Sequence, residues 1–195
     1  MKSTIDLINN LNVILASKSP RRQQLLTDLG IEFTVNAQDV NETYPNNIHA
    51  EDIAEFLSNK KAKAFDLRKF PENTLVITAD TTVVVDNYIL EKPKDIPEAK
   101  NFLLQLSGRE HTVISAVTIR TRKYRKSFSV STNVCFSKLR DNDIDFYIDK
   151  YKPFDKAGAY GIQAYGAKFI KEVHGDYFTI VGMPIAKLYK KLKEL

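Results

Sequence analysis

Hydrophobic positions along this chain follow two rhythms, and the change from one to the other marks out the elements. Unbroken apolar runs predict buried strands; apolar residues recurring every three or four positions predict helices packed by one face. Val13-Ile14-Leu15 reads as the first strand. A helix follows from Pro20, with Leu25, Leu26 and Leu29 as its stripe, Ser19 at the N-cap and Gly30 at the stop. Residues 31–35 predict a second strand and residues 36–47 a polar loop. A longer helix is expected over residues 50–67, its apolar positions including Ala50, Ile53, Ala54, Leu57 and Ala64. Leu75-Val76-Ile77-Thr78-Ala79 and Val83-Val84-Val85 carry the strongest strand signal, with Asp80-Thr81-Thr82 interrupting it.

In the second half, Ile89-Leu90 ends a short strand, and residues 97–106 predict a helix stopped by Gly108. Residues 113–119 and 128–136 pair as a hairpin, and a helix runs from Asp141 through Ile148 towards Pro153. Residues 168–173 and 177–181 read as a second hairpin turning at His174-Gly175-Asp176. Met183-Pro184 opens the last helix, whose closing Lys190, Lys191 and Lys193 suit a C-terminal helix end. Strands and helices mix without strict alternation, which predicts an α/β fold with a mixed, twisted sheet flanked by helices. No repeat or linker breaks the 195 residues, so a single domain, 1–195, is expected.

The chemistry concentrates at the first strand–helix junction, Leu15-Ala16-Ser17-Lys18-Ser19-Pro20-Arg21-Arg22. A helix N-terminus carries about +0.5 charge and favours acidic residues, so two arginines in the first turn fit best if an anion sits among them. A strand leading through a serine-rich loop into a basic helix start has the makings of a phosphate cradle. A solvated arginine pair is the alternative. Lys61 falls on the inward stripe of its helix, either snorkelling from a buried stem or reaching a phosphate at a site rim. Asp80 stands within the apolar run, where a carboxylate is costly to bury unless paired or bound to a cation. A turn is the other reading of Asp80, but Asp86-Asn87 already supplies a better one. Asp39 and Glu42 are loop carboxylates, Lys92 closes a strand, and Gly158 and Gly161 allow close backbone approach or simply an ordinary loop.

Composition adds limits. Hydrophobic residues make up 43% and charged ones 27%, ordinary for a globular protein, and the net charge of +5 would help attract a polyphosphate. The single cysteine, Cys135, excludes an internal disulfide, fits a reducing compartment and reads as a buried, inert thiol. No run is long enough to span a bilayer, residues 1–12 lack a secretory layout, and a cytoplasmic location is expected. His49, His111 and His174 are scattered without metal-ligand spacing, so a metal would be held by carboxylates and substrate phosphates, which points to magnesium or manganese.

The opening motif, followed by Leu25-Leu26, resembles the N-terminal signature of the Maf-like nucleotide pyrophosphatases. The similarity continues through Lys61-Ala62-Lys63-Ala64, Ala79-Asp80-Thr81, Leu90-Glu91-Lys92-Pro93, Leu106-Ser107-Gly108, the run from Asp155 to Gln163, and Val181-Gly182-Met183-Pro184. It implies two lobes around a cleft, a fold like that of inosine triphosphate pyrophosphatases, and cleavage of nucleoside triphosphates to a monophosphate and pyrophosphate. Carried over by position, Asp80 is the active-site carboxylate, and Ser17, Arg22, Lys61 and Lys92 bind substrate phosphates. Glu42 and Asp80 hold a divalent cation. Arg21, Thr81 and Gln163 match the positions that separate the family's branches, in the combination that resembles the dTTP/UTP branch; the 7-methyl-GTP branch differs there. Gln163 can both donate and accept, as reading a pyrimidine edge requires. Thr78 departs from a frequent glycine, and Asn41 from an often acidic position, which weakens Glu42 as a ligand. A homodimer is a further expectation from the resemblance.

Two rivals follow from other classes. A nucleotide-binding regulator of cell division would need the cradle but not Asp80. A nucleic-acid module would use the basic tip formed by Arg120, Arg122, Lys123, Arg125 and Lys126, but only Tyr124 lies among those cations; a solvated turn protecting a strand edge fits better, and no nucleic acid is expected as a partner.

Overall fold

A computed structural model describes residues 3–195; Met1 and Lys2 lie outside it. In order, the elements are α1 (Thr4–Ile8), β1 (Asn12–Leu15), α2 (Pro20–Asp28), β2 (Thr34–Val35), α3 (Ala50–Lys63), β3 (Thr74–Val85), β4 (Tyr88–Leu90), α4 (Ile96–Leu106), β5 (Glu110–Arg120), β6 (Arg125–Phe136), α5 (Asp141–Tyr151), β7 (Ile170–His174), α6 (Tyr177–Val181) and α7 (Ile185–Leu192). The strands form one seven-stranded mixed sheet in the order β2-β1-β3-β5-β6-β7, with β4 paired to β3. β1 pairs parallel with β2 and β3, whereas β3–β4 and β6–β7 are antiparallel. The expected α/β class and mixed sheet are therefore present.

The chain divides into two compact units. The first comprises the described part of Met1–Asp80 with Ser115–Val130 and Gly182–Leu195; the second comprises Thr81–Ile114 and Ser131–Val181. In the first, Ile14 and Ala16 pack with Val76, Phe65 and Leu67. In the second, Phe102, Leu103 and Leu106 of α4 join Ile144 and Ile148 of α5, with Phe136 and Phe169. Each such large side chain contributes about 1.5–3 kcal/mol on burial. Among the described residues, no helix is long and apolar enough to cross a membrane.

Several elements differ from the pattern-based expectation, each for a local reason. The two strand segments around Asp80-Thr81-Thr82 are one continuous strand, β3; the carboxylate does not break it because a lysine meets it. Asp86 and Asn87, both at positive φ, make the turn into β4 instead. α3 stops at Lys63 rather than continuing to residue 67, and its C-cap is Ala64, an exposed residue outside the buried face of Ile53, Ala54, Leu57, Ser58 and Ala62. The guanidinium of Arg120 donates to the carbonyls of Ala62 (2.6 Å) and Phe65 (3.1 Å), which satisfies the helix end from a distant strand.

Only Thr34 and Val35 of residues 31–35 are strand, since the Glu32 amide donates to Asn9 Oδ1 at 2.9 Å. Residues 177–181 form α6, not the second arm of a hairpin. There the Asp176 carboxylate accepts from the amides of Phe178 and Thr179, each at 3.2 Å, and this cap overrides the β preference of the run. α1 has no counterpart in the expected pattern: Ser3 and Asp6 close a reciprocal capping box.

Candidate functional site

The site is built where β1 hands over to α2. β1 lies between β2 and β3, and the register Leu15↔Ile77 continues through a 2.8 Å hydrogen bond from the Ala16 amide to the Ile77 carbonyl. This fixes the start of the Ser17–Ser19 turn against the strand that carries Asp80. Ser19 occupies the expected N-cap of α2 with Pro20 in the first turn, but its side chain makes no capping bond. The buried hydroxyl of Ser17 accepts from the Ser19 amide instead, at 3.3 Å.

Arg22 turns inward from the first turn of α2. Its Nε donates to the Gly182 carbonyl at 2.9 Å, and its Nη1 to the Ala79 carbonyl at 3.0 Å and to Ser17 Oγ at 3.3 Å. The guanidinium thus ties the serine turn to the backbone immediately before Asp80. Burial lowers its pKa and neighbouring Arg21 adds to that effect, while Asp80 and Glu42 oppose it.

Asp80 is 8% exposed. Alternation along β3 puts it on the face that also carries Thr78, and α3 covers that face. Thr78 donates to the Ser58 carbonyl at 2.6 Å, and Lys61, one helical turn further on, donates to Asp80 Oδ1. The same ammonium lies 2.9 Å from Glu42 Oε1. One partly buried cation therefore holds two carboxylates from distant parts of the sequence. A Lys61 stem along the helix with its head in a polar cluster satisfies both readings of that residue.

The loop carrying Glu42 is itself secured. Asn41 Oδ1 accepts from the Thr43 amide at 3.0 Å, and Lys60 donates to the Thr43 carbonyl at 2.7 Å. Lys60 carries no signal in the apolar stripe, and sequence reasoning missed it; only the position of the loop reveals its part. Asp39, the other loop carboxylate, forms an exposed ion pair with Lys18 at 3.5 Å. Such a pair contributes little.

Ser17, Arg22, Glu42, Lys61 and Asp80 are thus brought together in the first unit, with Arg21 beside Arg22 in α2. Thr81, Lys92 and Gln163 belong to the second unit. Thr81 follows Asp80 in β3, Lys92 is exposed two residues past β4, and exposed Gln163 stands at the N-cap position of the short 3-10 segment Ala164–Phe169, its side chain making no capping bond. Asp80 and Glu42 supply oxygen donors that could hold a hard divalent cation.

Cys135 is half-buried rather than buried, and its thiol points to Glu110 Oε2 at 3.4 Å. His174, isolated in the sequence, lies with Glu110 and Cys135 in one cluster. His111 is buried against Tyr160, its Nε2 2.7 Å from the phenol oxygen. In the basic tip, Arg120 is engaged at the end of α3 and Arg122 donates to the Phe70 carbonyl at 2.8 Å.

Comparison with known proteins bears on the chain as a whole. A protein called dTTP/UTP pyrophosphatase in Phocaeicola vulgatus is 41% identical over 193 residues, covering 98% of this chain and all of that one. Proteins of the same name are 41% identical in Porphyromonas gingivalis, over 97% of both chains, and 42% identical in Thermotoga maritima, over 94% of this chain and 89% of that one. The Staphylococcus aureus Ham1 protein superposes with a TM-score of 0.50 over 94% of this chain and 98% of its own, at 17% identity, and so shares the fold. The family model described as Maf-like protein matches residues 12–195, and with relatives of this identity along nearly its whole length, the chain belongs to the Maf-like family.

Proposed function

We propose that this chain is a nucleoside triphosphate pyrophosphatase acting on dTTP and UTP. Water and the triphosphate give the nucleoside monophosphate and pyrophosphate. The observation that carries the reading is the cluster in which Arg22 braces Ser17 against the Ala79 carbonyl while Lys61 holds Asp80 and Glu42. Two fixed cations beside two carboxylates match what polyphosphate hydrolysis needs: charge neutralisation along the phosphates and an oxygen base near them. Full-length relatives called dTTP/UTP pyrophosphatase support the same substrates.

In this proposal, Ser17, Arg22 and Lys61 bind the phosphates, and Lys92 adds a further cation. Asp80 orients the attacking water and accepts its proton. Asp80 and Glu42 would also hold a magnesium or manganese ion, whose chemistry is to withdraw charge from the phosphate oxygens. Arg21, Thr81 and Gln163 set the base preference, Gln163 by pairing with the O4 and N3–H edge of uracil or thymine.

The test is a panel of canonical and modified triphosphates, with magnesium or manganese, followed by identification of the products. Monophosphate with pyrophosphate from dTTP and UTP supports the proposal. Orthophosphate as the primary product, or no turnover of any pyrimidine triphosphate, rejects it.

A further inference from the structure

The solvent-facing side of β5, β6 and β7 carries a group of donors that pyrophosphate chemistry does not use. Glu110 opens β5, Cys135 lies near the end of β6 and His174 closes β7. In the β6–β7 register Asn133 stands opposite His174 and Cys135 opposite Glu172, so strand alternation places all four on one face. A register shift follows directly after Cys135. One carboxylate oxygen, one sulfur and one imidazole nitrogen, from Glu110, Cys135 and His174, lie within 4.8 Å of one another.

The group is held in place by its neighbours. Glu110 accepts from Asn133 Nδ2 at 3.2 Å through Oε1 and from the Cys135 thiol at 3.4 Å through Oε2. Asn133 is fixed in turn by the Thr112 hydroxyl, which donates to its Oδ1 at 3.1 Å. Glu172 Oε2 lies 3.3 Å from His174 Nε2, the carboxylate–imidazole pairing that orients metal-binding histidines.

We propose that Glu110, Cys135 and His174 form a surface site for one zinc ion, with Glu172 orienting the imidazole. Sulfur, nitrogen and oxygen donors together select a borderline-soft cation over magnesium. Tetrahedral zinc needs ligands at about 2.0–2.3 Å, which small side-chain rotations bring within reach from the observed separation. On binding, the Cys135 S–H bond breaks, its proton goes to solvent and a zinc–thiolate bond forms. One thiolate and one carboxylate then balance the charge of the ion.

The experiment titrates the full-length protein with cobalt(II), in excess magnesium to fill oxygen-only sites, and then displaces it with zinc. Cys135 is the one cysteine, so a thiolate-to-cobalt charge-transfer band reports this site alone. One equivalent of cobalt should produce the band, zinc should remove it, and Cys135→Ser should abolish it. His174→Ala and Glu110→Gln, both at exposed positions, should each weaken binding at least about tenfold. They keep the test decisive should Cys135→Ser fail to fold. Cobalt binding without a thiolate band, or unchanged affinity in His174→Ala, overturns the proposal.

Discussion

Arg22 Nη1 donates to the Ala79 carbonyl at 3.0 Å, so an arginine in the first turn of α2 is bonded to the backbone one residue before Asp80. The same side chain also holds Gly182, which opens the C-terminal segment of the first unit. Arg22 is therefore structural as well as electrostatic. Arg22→Ala leaves the carbonyls of Ala79 and Gly182 without this donor and should cost about 3 kcal/mol in urea unfolding. Arg22→Lys should recover little, because one ammonium cannot reproduce the planar fork. Both variants should lose hydrolysis.

Asp80→Asn tests the chemistry separately from the fold. The amide is isosteric but cannot accept the water proton. dTTP turnover should fall by about 10²–10⁴-fold, with the nucleotide still bound as measured by calorimetry. Unchanged turnover would remove Asp80 from the reaction.

Lys61→Gln should destabilise the protein by about 1–3 kcal/mol, since buried Asp80 loses its charged partner. In the double variant with Asp80→Asn, part of that loss should return, and the coupling can be read from a double-mutant cycle. Additive losses would mean that the pair contributes nothing of its own.

His111 predicts a pH response. Burial lowers its pKa from 6.5 to about 4. Between those values the unfolded chain binds a proton that the folded one refuses, so stability falls as pH drops through this window and is fully retained above it. The span limits the loss to about 3 kcal/mol. Urea melts at pH 4 and pH 7 should differ less in His111→Gln than in the unsubstituted protein.

Gly166→Ala should be severely destabilising, by more than about 3 kcal/mol. A Cβ there would stand 1.9 Å from the Gly161 carbonyl oxygen. Thermal melting of the variant checks this.

Much of the first unit was legible because local signals and tertiary structure agree. The serine turn, the arginines, Lys61 on its stripe and the exceptional Asp80 all stand out in the sequence. What could not be read there depends on partners far along the chain. The end of α3 is set by Arg120, the course of residues 31–33 by Asn9, and α6 by the Asp176 carboxylate. The close approach near Gly158 and Gly161 was visible in outline, but its tightest point, Gly166 against Gly161, was not. The donors Glu110, Cys135 and His174 were invisible for a similar reason: strand register, not spacing, assembles them.

Lys60 and Lys61 are adjacent in α3 yet hold separate parts of one loop, the first at the Thr43 backbone and the second at the Glu42 tip. In the proposed reaction, a polyphosphate drawing Lys61 away would leave the Lys60 bond to the Thr43 carbonyl in place. The Glu42 carboxylate would then be released from a loop still anchored one residue further on, so the two neighbouring lysines divide the work of grip and release.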